Sequence, residues 1–353
     1  MKKYRFTLAA VAALMSVLLC ACSDEPVLVD GPDEEEPEVV VTYYKNPVIN
    51  QDAPDPTVVR GNDGKFYAFS TGGNNTPVYW SDNLVDWSFY GTAYTNANAP
   101  KFVPDAGLWA PDANYIKGKY VLYFSMSKWG GEWDAGIGRA VAVKPGGFYS
   151  DAKLLFNSRD IGVQNSIDPV VFQEGNRKYL IWGSFRGIYI TELTENGLEL
   201  IDKTDIQKIA GTAYEGIYIH KRDGYYYMFG AWGSCCDGVN STYRVVVGRS
   251  KSLYGPYFDK SGGRMLDNRH ETILVGNDKV KGPGHTSQII TDDNGDDWIL
   301  YHGYDVNEPN AGRKVYLDKV NWDKDGWPTI GVGTGTPTTA RTKAPYFKPV
   351  EKE

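Results

Sequence analysis

The sequence predicts an all-β fold, a five-bladed β-propeller, on three observations. A polar anchor followed by an apolar strand, a Gly-containing turn and a second apolar strand recurs five times, at residues 55, 112, 168, 215 and 285. The spacings of 57, 56, 47 and 70 suit four-stranded blades. The paired runs are short, aromatic and β-branched, which is the pattern of hairpins rather than helices. Aromatic residues make up 14% of the chain, with 25 Tyr and 10 Trp, and although strand propensity accounts for many of them, rings remain to line a ligand surface.

Taken in chain order, the first element is a targeting segment. Lys2, Lys3 and Arg5 precede an apolar run from Leu8 to Leu19, and Leu19-Cys20-Ala21-Cys22 resembles a bacterial lipobox. Residues 1–21 are therefore expected to be a signal peptide, with Cys22 lipidated after cleavage. The run is too short to persist as a transmembrane helix. Residues 22–42 read as an acidic, Pro-rich tether. Its start, Ser23-Asp24-Glu25, resembles the acidic surface-export tag of lipoproteins in some two-membrane bacteria. The expected location is extracytoplasmic and membrane-anchored, at an outer-membrane cell surface.

Residues 43–353 form the propeller domain. After Asp55 come Thr57-Val58-Val59-Arg60 and Lys65-Phe66-Tyr67-Ala68-Phe69-Ser70; after Asp112, Asn114-Tyr115-Ile116, the turn Lys117-Gly118, and Lys119 to Ser125. The pattern returns after Asp168 (Val170-Val171-Phe172, then Tyr179 to Trp182), after Glu215 (Ile217-Tyr218-Ile219, the turn Asp223-Gly224, then Tyr225 to Phe229) and after His285 (Gln288-Ile289-Ile290, then Trp298 to Tyr301). Outer strands are expected within Val78 to Trp87, Ala140 to Phe148 and Val245 to Tyr257. In a propeller the first strand of each blade lines the axis, so all five anchors converge there.

Charge narrows the partners. Loss of residues 1–21 takes three positive charges from a net of −7, giving −10, and the stretch from Cys22 to Val39 holds eight acids, so the folded part sits near −2. A near-neutral domain without a basic run argues against nucleic acid and fits a neutral polysaccharide. Of four cysteines, only the adjacent pair Cys235-Cys236 would remain free in the mature domain. The pair reads equally as a disulfide or as two thiols, and no further soft ligand nearby makes it a metal site.

Four of the five anchors are carboxylates, and three of these stand in Asp52-Ala53-Pro54-Asp55-Pro56, Ser166-Ile167-Asp168-Pro169 and Tyr214-Glu215-Gly216. Cleavage of a glycosidic bond by inversion needs one carboxylate as base and one carboxyl as acid across a sugar, and a third acid nearby can keep the second protonated. Each acid alone is more often a solvated or turn-capping carboxylate; three in register on inner strands reverse those odds. Asp55, between two prolines, has a rigid mount suited to a base. Glu215, in apolar company, is suited to stay protonated.

These motifs, with Asn46-Pro47-Val48, Trp109-Ala110-Pro111-Asp112 and Gly282-Pro283-Gly284-His285, resemble glycoside hydrolase family 43, in order from about residue 43 to 330. Cys235-Cys236, the run Ser241 to Ser250, Gly255-Pro256-Tyr257 and Trp322 to Pro328 are most similar to its endo-α-1,5-L-arabinanases. The resemblance implies Asp55 as general base, Asp168 as pKa modulator and Glu215 as general acid, acting on arabinan. It makes Trp109 a stacking platform and leaves Asp112 as a backbone or water ligand. Asn165 is a sugar contact or a turn residue. His285 resembles an axial ligand that binds Ca2+ largely through water, a chemistry a lone imidazole supports only weakly; the alternative is a channel plug. No organic cofactor is implied, and a monomer is expected. Endo or exo action turns on loops such as Tyr94 to Gly107 and Lys128 to Gly138. The alternatives are an exo-acting α-L-arabinofuranosidase or β-xylosidase, or a non-catalytic glycan-binding propeller. The five units take up about 310 residues from Tyr43, so the appended β-sandwich of many xylosidases is not expected.

Overall fold

A computed structural model describes residues 41–349. The predicted signal peptide (1–21), Cys22 and all of the tether (22–42) except its last two residues lie outside the described residues. Residues 57–330 form five antiparallel sheets, each built from consecutive strands, and together they make a five-bladed propeller. Blade 1 runs through Thr57–Arg60, Phe66–Phe69, Pro77–Ser81 and Ser88–Thr92. Blade 2 runs through Gly107–Ile116, Lys119–Ser127, Gly136–Ala142 and Ser150–Asn157. Blade 3 is Val170–Glu174, Arg177–Trp182, Ile188–Leu193 and Gln207–Ala210, and blade 4 is Tyr214–Arg222, Tyr225–Trp232, Arg244–Ser250 and Glu271–Leu274. Blade 5 comprises Val280–Gly284 and Ile290–Thr291, both paired with Asp297–Asp305, then Lys314–Trp322 and Pro328–Ile330.

The predicted hairpins are present. Lys117-Gly118 and Asp223-Gly224 both turn with positive φ at each residue (46° and 81°, 49° and 72°), the geometry that matches the twist of the strands they join. The second strand of blade 2 is buried from Tyr120 to Ser127 without alternation, because both of its faces pack against other blades. That is why its sequence is apolar on both faces from Tyr120 to Phe124 rather than period two. Two outer strands lie later than expected: residues 143–149 of blade 2 are the connection to Ser150–Asn157, and the last strand of blade 4 is Glu271–Leu274. Turns, isolated bridges of Phe258 with Arg249 and Arg264, and a short 3-10 helix at Met265–Asp267 fill the interval.

Each gap between neighbouring blades holds its own apolar cluster. Phe69 and Phe124 belong to the one between blades 1 and 2, Val121 and Trp182 between 2 and 3, Ile181 and Ile219 between 3 and 4, Phe229 and Tyr301 between 4 and 5, and Ala68 and Leu317 between 5 and 1. Among the described residues no named strand of one blade is shared with another to close the ring; an isolated antiparallel bridge of Ile49 with Val315 ties the entering chain to blade 5. Beside it the Asn46 amide fits the edge of Lys314–Trp322, donating to Leu317 O (2.8 Å) and accepting from Leu317 N (2.9 Å). Tyr43–Tyr44 then pairs with Thr342–Lys343, joining the two ends of the domain.

Candidate active site

Each blade brings one left-handed residue to the mouth of the axis: Asp55 (φ 56°), Ala110 (43°), Asp168 (57°), Gly216 (55°) and His285 (48°). In blades 2, 4 and 5 this residue lies where the inner strand skips pairing, between Trp109 and Asp112, between Glu215 and Tyr218, and after Gly284. Two anchors read from sequence are therefore corrected. Asp112 is two residues past the ring position, which Ala110 fills, and Glu215 is one residue before it, at Gly216. A non-glycine residue at positive φ costs on the order of 1–3 kcal/mol, so four such residues at one mouth mark a site that holds side chains against local preference. Gly216 is required for a different reason. A Cβ there would come 2.9 Å from the His285 ring.

The ring opens into a cleft of about 670 Å³ lined by Asp55, Asp168, Glu215, Trp109, Asn165 and His285, so the six predicted site residues face one space. Asp55 is buried among cationic and nitrogen groups. Its Oδ1 lies 3.2 Å from Arg313 Nη1, 3.2 Å from His302 Nδ1 and 3.4 Å from His285 Nδ1, and its Oδ2 accepts from Thr71 Oγ1 at 2.8 Å. Burial alone would raise its pKa, but Arg313, His285 and His302 together hold it well below the usual carboxylate range. Burial in turn lowers both imidazoles, His302 to about 4, so they are neutral near pH 7.

Among the described residues no cation pairs with Glu215. Its Oε1 accepts from Tyr243 OH and its Oε2 from Ser184 Oγ, each at 2.7 Å. Burial raises its pKa and the Asp55 charge adds to that, against the two hydroxyls and Arg313. Asp168 is raised well above the usual range by burial and then by Glu215 and Asp55. Interacting buried carboxyls titrate as a pair rather than singly. Asp168 Oδ2 also accepts from Gly216 N (3.2 Å), the peptide next to Glu215, while its own N–H is held by Ser125 Oγ (2.8 Å).

Asp112 does not face the cleft. It lies under the mouth, where it accepts from Thr57, Gln288, Asn114 and the Val171 N–H, in three blades besides its own strand's Asn114. Asn165 turns its amide to Ser184 O (3.0 Å), fixing the segment that carries the Ser184 hydroxyl. Trp109 stands at the wall, above Gly107, where a Cβ would meet its indole nitrogen at 2.9 Å. Trp129, on the loop from Lys128, lines the cleft and is 84% exposed. Cys235 and Cys236 are joined as a disulfide at the cleft wall.

Sequence reasoning missed Arg313, His302, Tyr243, Ser184 and Thr71 as site residues. His302 could have been weighed, as one of only four histidines, and Tyr243 stood inside a motif used for the resemblance. Arg313 and Ser184 carried no sequence signal.

For a cation at His285, the groups at hand are one imidazole, neutral oxygens and the carboxyls of Asp112 and Asp168. Among the described residues no three His, Cys, Asp or Glu side chains converge to cage a metal. His285 borders a small axial void with Thr57, Asp112, Asp168, Thr286 and Gln288, and the buried Thr286 hydroxyl has no partner among the described residues. That orphaned oxygen fits a wet site, and the residues suit an ion held through its own waters rather than a caged one.

Residues 44–328 match the family described as Glycosyl hydrolases family 43. The chain is 34% identical over 290 residues to extracellular endo-α-(1→5)-L-arabinanase 1 of Bacillus subtilis, covering 78% of this chain and 86% of that protein. It is 32% identical over 309 residues to the extracellular exo-α-(1→5)-L-arabinofuranosidase of Cellvibrio japonicus, covering 79% and 86%. Among solved structures it resembles the Cellvibrio cellulosa α-L-arabinanase complexed with arabinohexaose, with a TM-score of 0.72 at 29% identity over 79% of this chain and 96% of that one.

Proposed function

The chain belongs to glycoside hydrolase family 43 and is an arabinanase-like glycoside hydrolase, and from that premise we propose that it cleaves α-1,5-L-arabinofuranosidic linkages of arabinan, with inversion and from within the chain. One observation carries the assignment of roles: a single cleft holds one carboxylate ringed by Arg313, His302 and His285 and another held only by hydroxyls. The first is ionised and takes a proton from water attacking the anomeric carbon. The second keeps its proton and gives it to the departing sugar oxygen. Asp168 supports the second through its bond to the Gly216 peptide, next to Glu215, and through the coupled titration of the two carboxyls. Trp109 supplies a face for a furanose ring.

Glu215→Ala should lose roughly 10² to 10⁴ of its rate on arabinan and largely recover on an aryl arabinoside with an acidic phenol, since that leaving group needs no proton. Asp55→Ala should be inactive on both. Asp168→Asn should be intermediate, with its alkaline limb displaced downward. Proton NMR of the first product should show the β-anomer; an α-anomer, or recovery of Asp55→Ala alone, would overturn the roles. A non-catalytic binder would be retarded in an arabinan gel yet release no reducing ends.

The exo reading has its own support, in the relative of that activity at nearly the same identity. Early products decide it: mixed oligomers mean internal cleavage, arabinose alone means exo.

Two further parts belong to the same proposal. A cation would be held by His285, with Thr286 reached through water, and would supply a fixed positive charge below the carboxylates. Chelation should then lower the melting temperature of the wild type and not of His285→Ala, and equal sensitivity would remove His285 as its ligand. The protein would be anchored to a membrane through Cys22, and fatty-acid label persisting in Cys22→Ser would exclude that.

A further inference from the structure

Tyr243 is an unusual residue to find at the mouth of the axis. It directly precedes Arg244–Ser250, the third strand of its blade, two strands out from the axis. Its ring nevertheless reaches Glu215, fully buried, because position 284 on the neighbouring inner strand carries no side chain; a Cβ there would come 2.3 Å from the ring. The ring stacks on His302 at 5.7 Å between centroids and 8° between planes, and His302 is the imidazole set against Asp55. The holders of the two carboxylates therefore lock each other.

Glu215 is the sole hydrogen-bond partner of the Tyr243 hydroxyl among the described residues. If Tyr243 accepted from a Glu215 O–H, its own proton would be buried without an acceptor, a cost of roughly 1–3 kcal/mol. Tyr243 therefore donates to Oε1, and the carboxyl proton must sit on Oε2. There the partner is Ser184, a hydroxyl that can rotate to accept or donate.

We propose that Tyr243 is a positioning residue for the general acid, fixing Oε2 of Glu215 as the oxygen that carries and delivers the catalytic proton. The inference rests on the assignment of Glu215 as acid. Before transfer, Oε1 accepts from Tyr243 and the Oε2 proton points to Ser184 or to the sugar. In transfer the Oε2–H bond breaks and the proton bonds to the departing glycosidic oxygen. Glu215 is left as a carboxylate, now accepting from both hydroxyls, so the Tyr243 bond strengthens as charge develops.

The test is Tyr243→Phe, which keeps the ring, the stack on His302 and hence the fold. On arabinan kcat should fall roughly 10- to 100-fold, the worth of a hydrogen bond to a developing charge, with KM nearly unchanged. The alkaline limb of the pH profile should move upward, because the hydroxyl that lowers the Glu215 pKa is gone. On the activated aryl arabinoside the rate should approach that of the wild type. An unmoved alkaline limb, or equal losses on both substrates, would overturn the proposal. Glu215→Ala serves as the separate control: failure to recover on the activated substrate would refute Glu215 as the acid, whatever Tyr243→Phe does.

Discussion

Asp55 and Glu215 are both buried carboxyls at one mouth, and their neighbours alone set them apart. Arg313 is the strongest of the groups that keep Asp55 ionised, and it is 258 residues away in the chain, so no local pattern could reveal it. What the sequence made legible at this scale was the acids themselves, because each stands in a short Pro- or Gly-bearing motif. The groups that tune them come from other blades and were not legible. Replacing Arg313 with Met removes the charge and keeps much of the stem. The Asp55 pKa should rise, so the acidic limb of kcat/KM should move upward by on the order of one to three pH units, the usual effect of an adjacent opposite charge. The alkaline limb should follow by less, since Arg313 is the weakest of the named influences on Glu215. An acidic limb that stays in place would show that Asp55 is not the base or that Arg313 does not govern it.

Strand existence was legible in every blade, because two apolar runs and a Gly turn are local. Register was not. Nothing in Trp109-Ala110-Pro111-Asp112 tells that Ala110, not Asp112, holds the left-handed position, since the skipped pairing that puts it there depends on the partner strand Lys119–Ser127. Of the two loops that the sequence suggests, Tyr94 to Gly107 borders a separate hollow, whereas the one from Lys128 lines the cleft. That loop is tied down by Glu132, which pairs with Arg186 of blade 3 (2.7 Å) and accepts from Gln164 (2.6 Å), so Trp129 is an exposed ring on a held loop. An exposed ring on such a loop, at the wall of the cleft, offers a platform for a chain extending beyond the reacting residue. Trp129→Ala should raise KM for arabinan about tenfold, the equivalent of ~1.4 kcal/mol, and leave the aryl arabinoside unaffected. Equal changes on both substrates would place Trp129 in the structure of the loop rather than on the substrate.

A propeller must also close, and closure is the least local property of all. Asn46 reaches Leu317 and Thr338 across 271 and 292 residues, and the same corner is held by Asp318, whose Oδ2 accepts from Tyr301 OH (2.6 Å) and from Thr338 N (3.0 Å). Burial pushes the Asp318 pKa up to about 6, with its hydrogen bonds opposing the rise. The sign follows from linkage. A carboxyl that binds its proton more tightly folded than unfolded contributes stability that is full below the unfolded pKa, near 4, and is lost as pH climbs through about 6. Above that the ring closes around a buried charge. Asp318→Asn removes the titration and keeps the shape, at a pH-independent cost for one weakened hydrogen bond. Relative to wild type, its stability should therefore be lowest at pH 4 and improve by up to about 3 kcal/mol by pH 8. Denaturant melts at a series of pH values read this directly, and because Asp112, also raised to about 6 by burial, is present in both proteins, its contribution cancels in the difference. Wild-type and variant stabilities that stay parallel from pH 4 to pH 8 would mean that Asp318 is already ionised throughout, and that the closure tolerates its charge without loss.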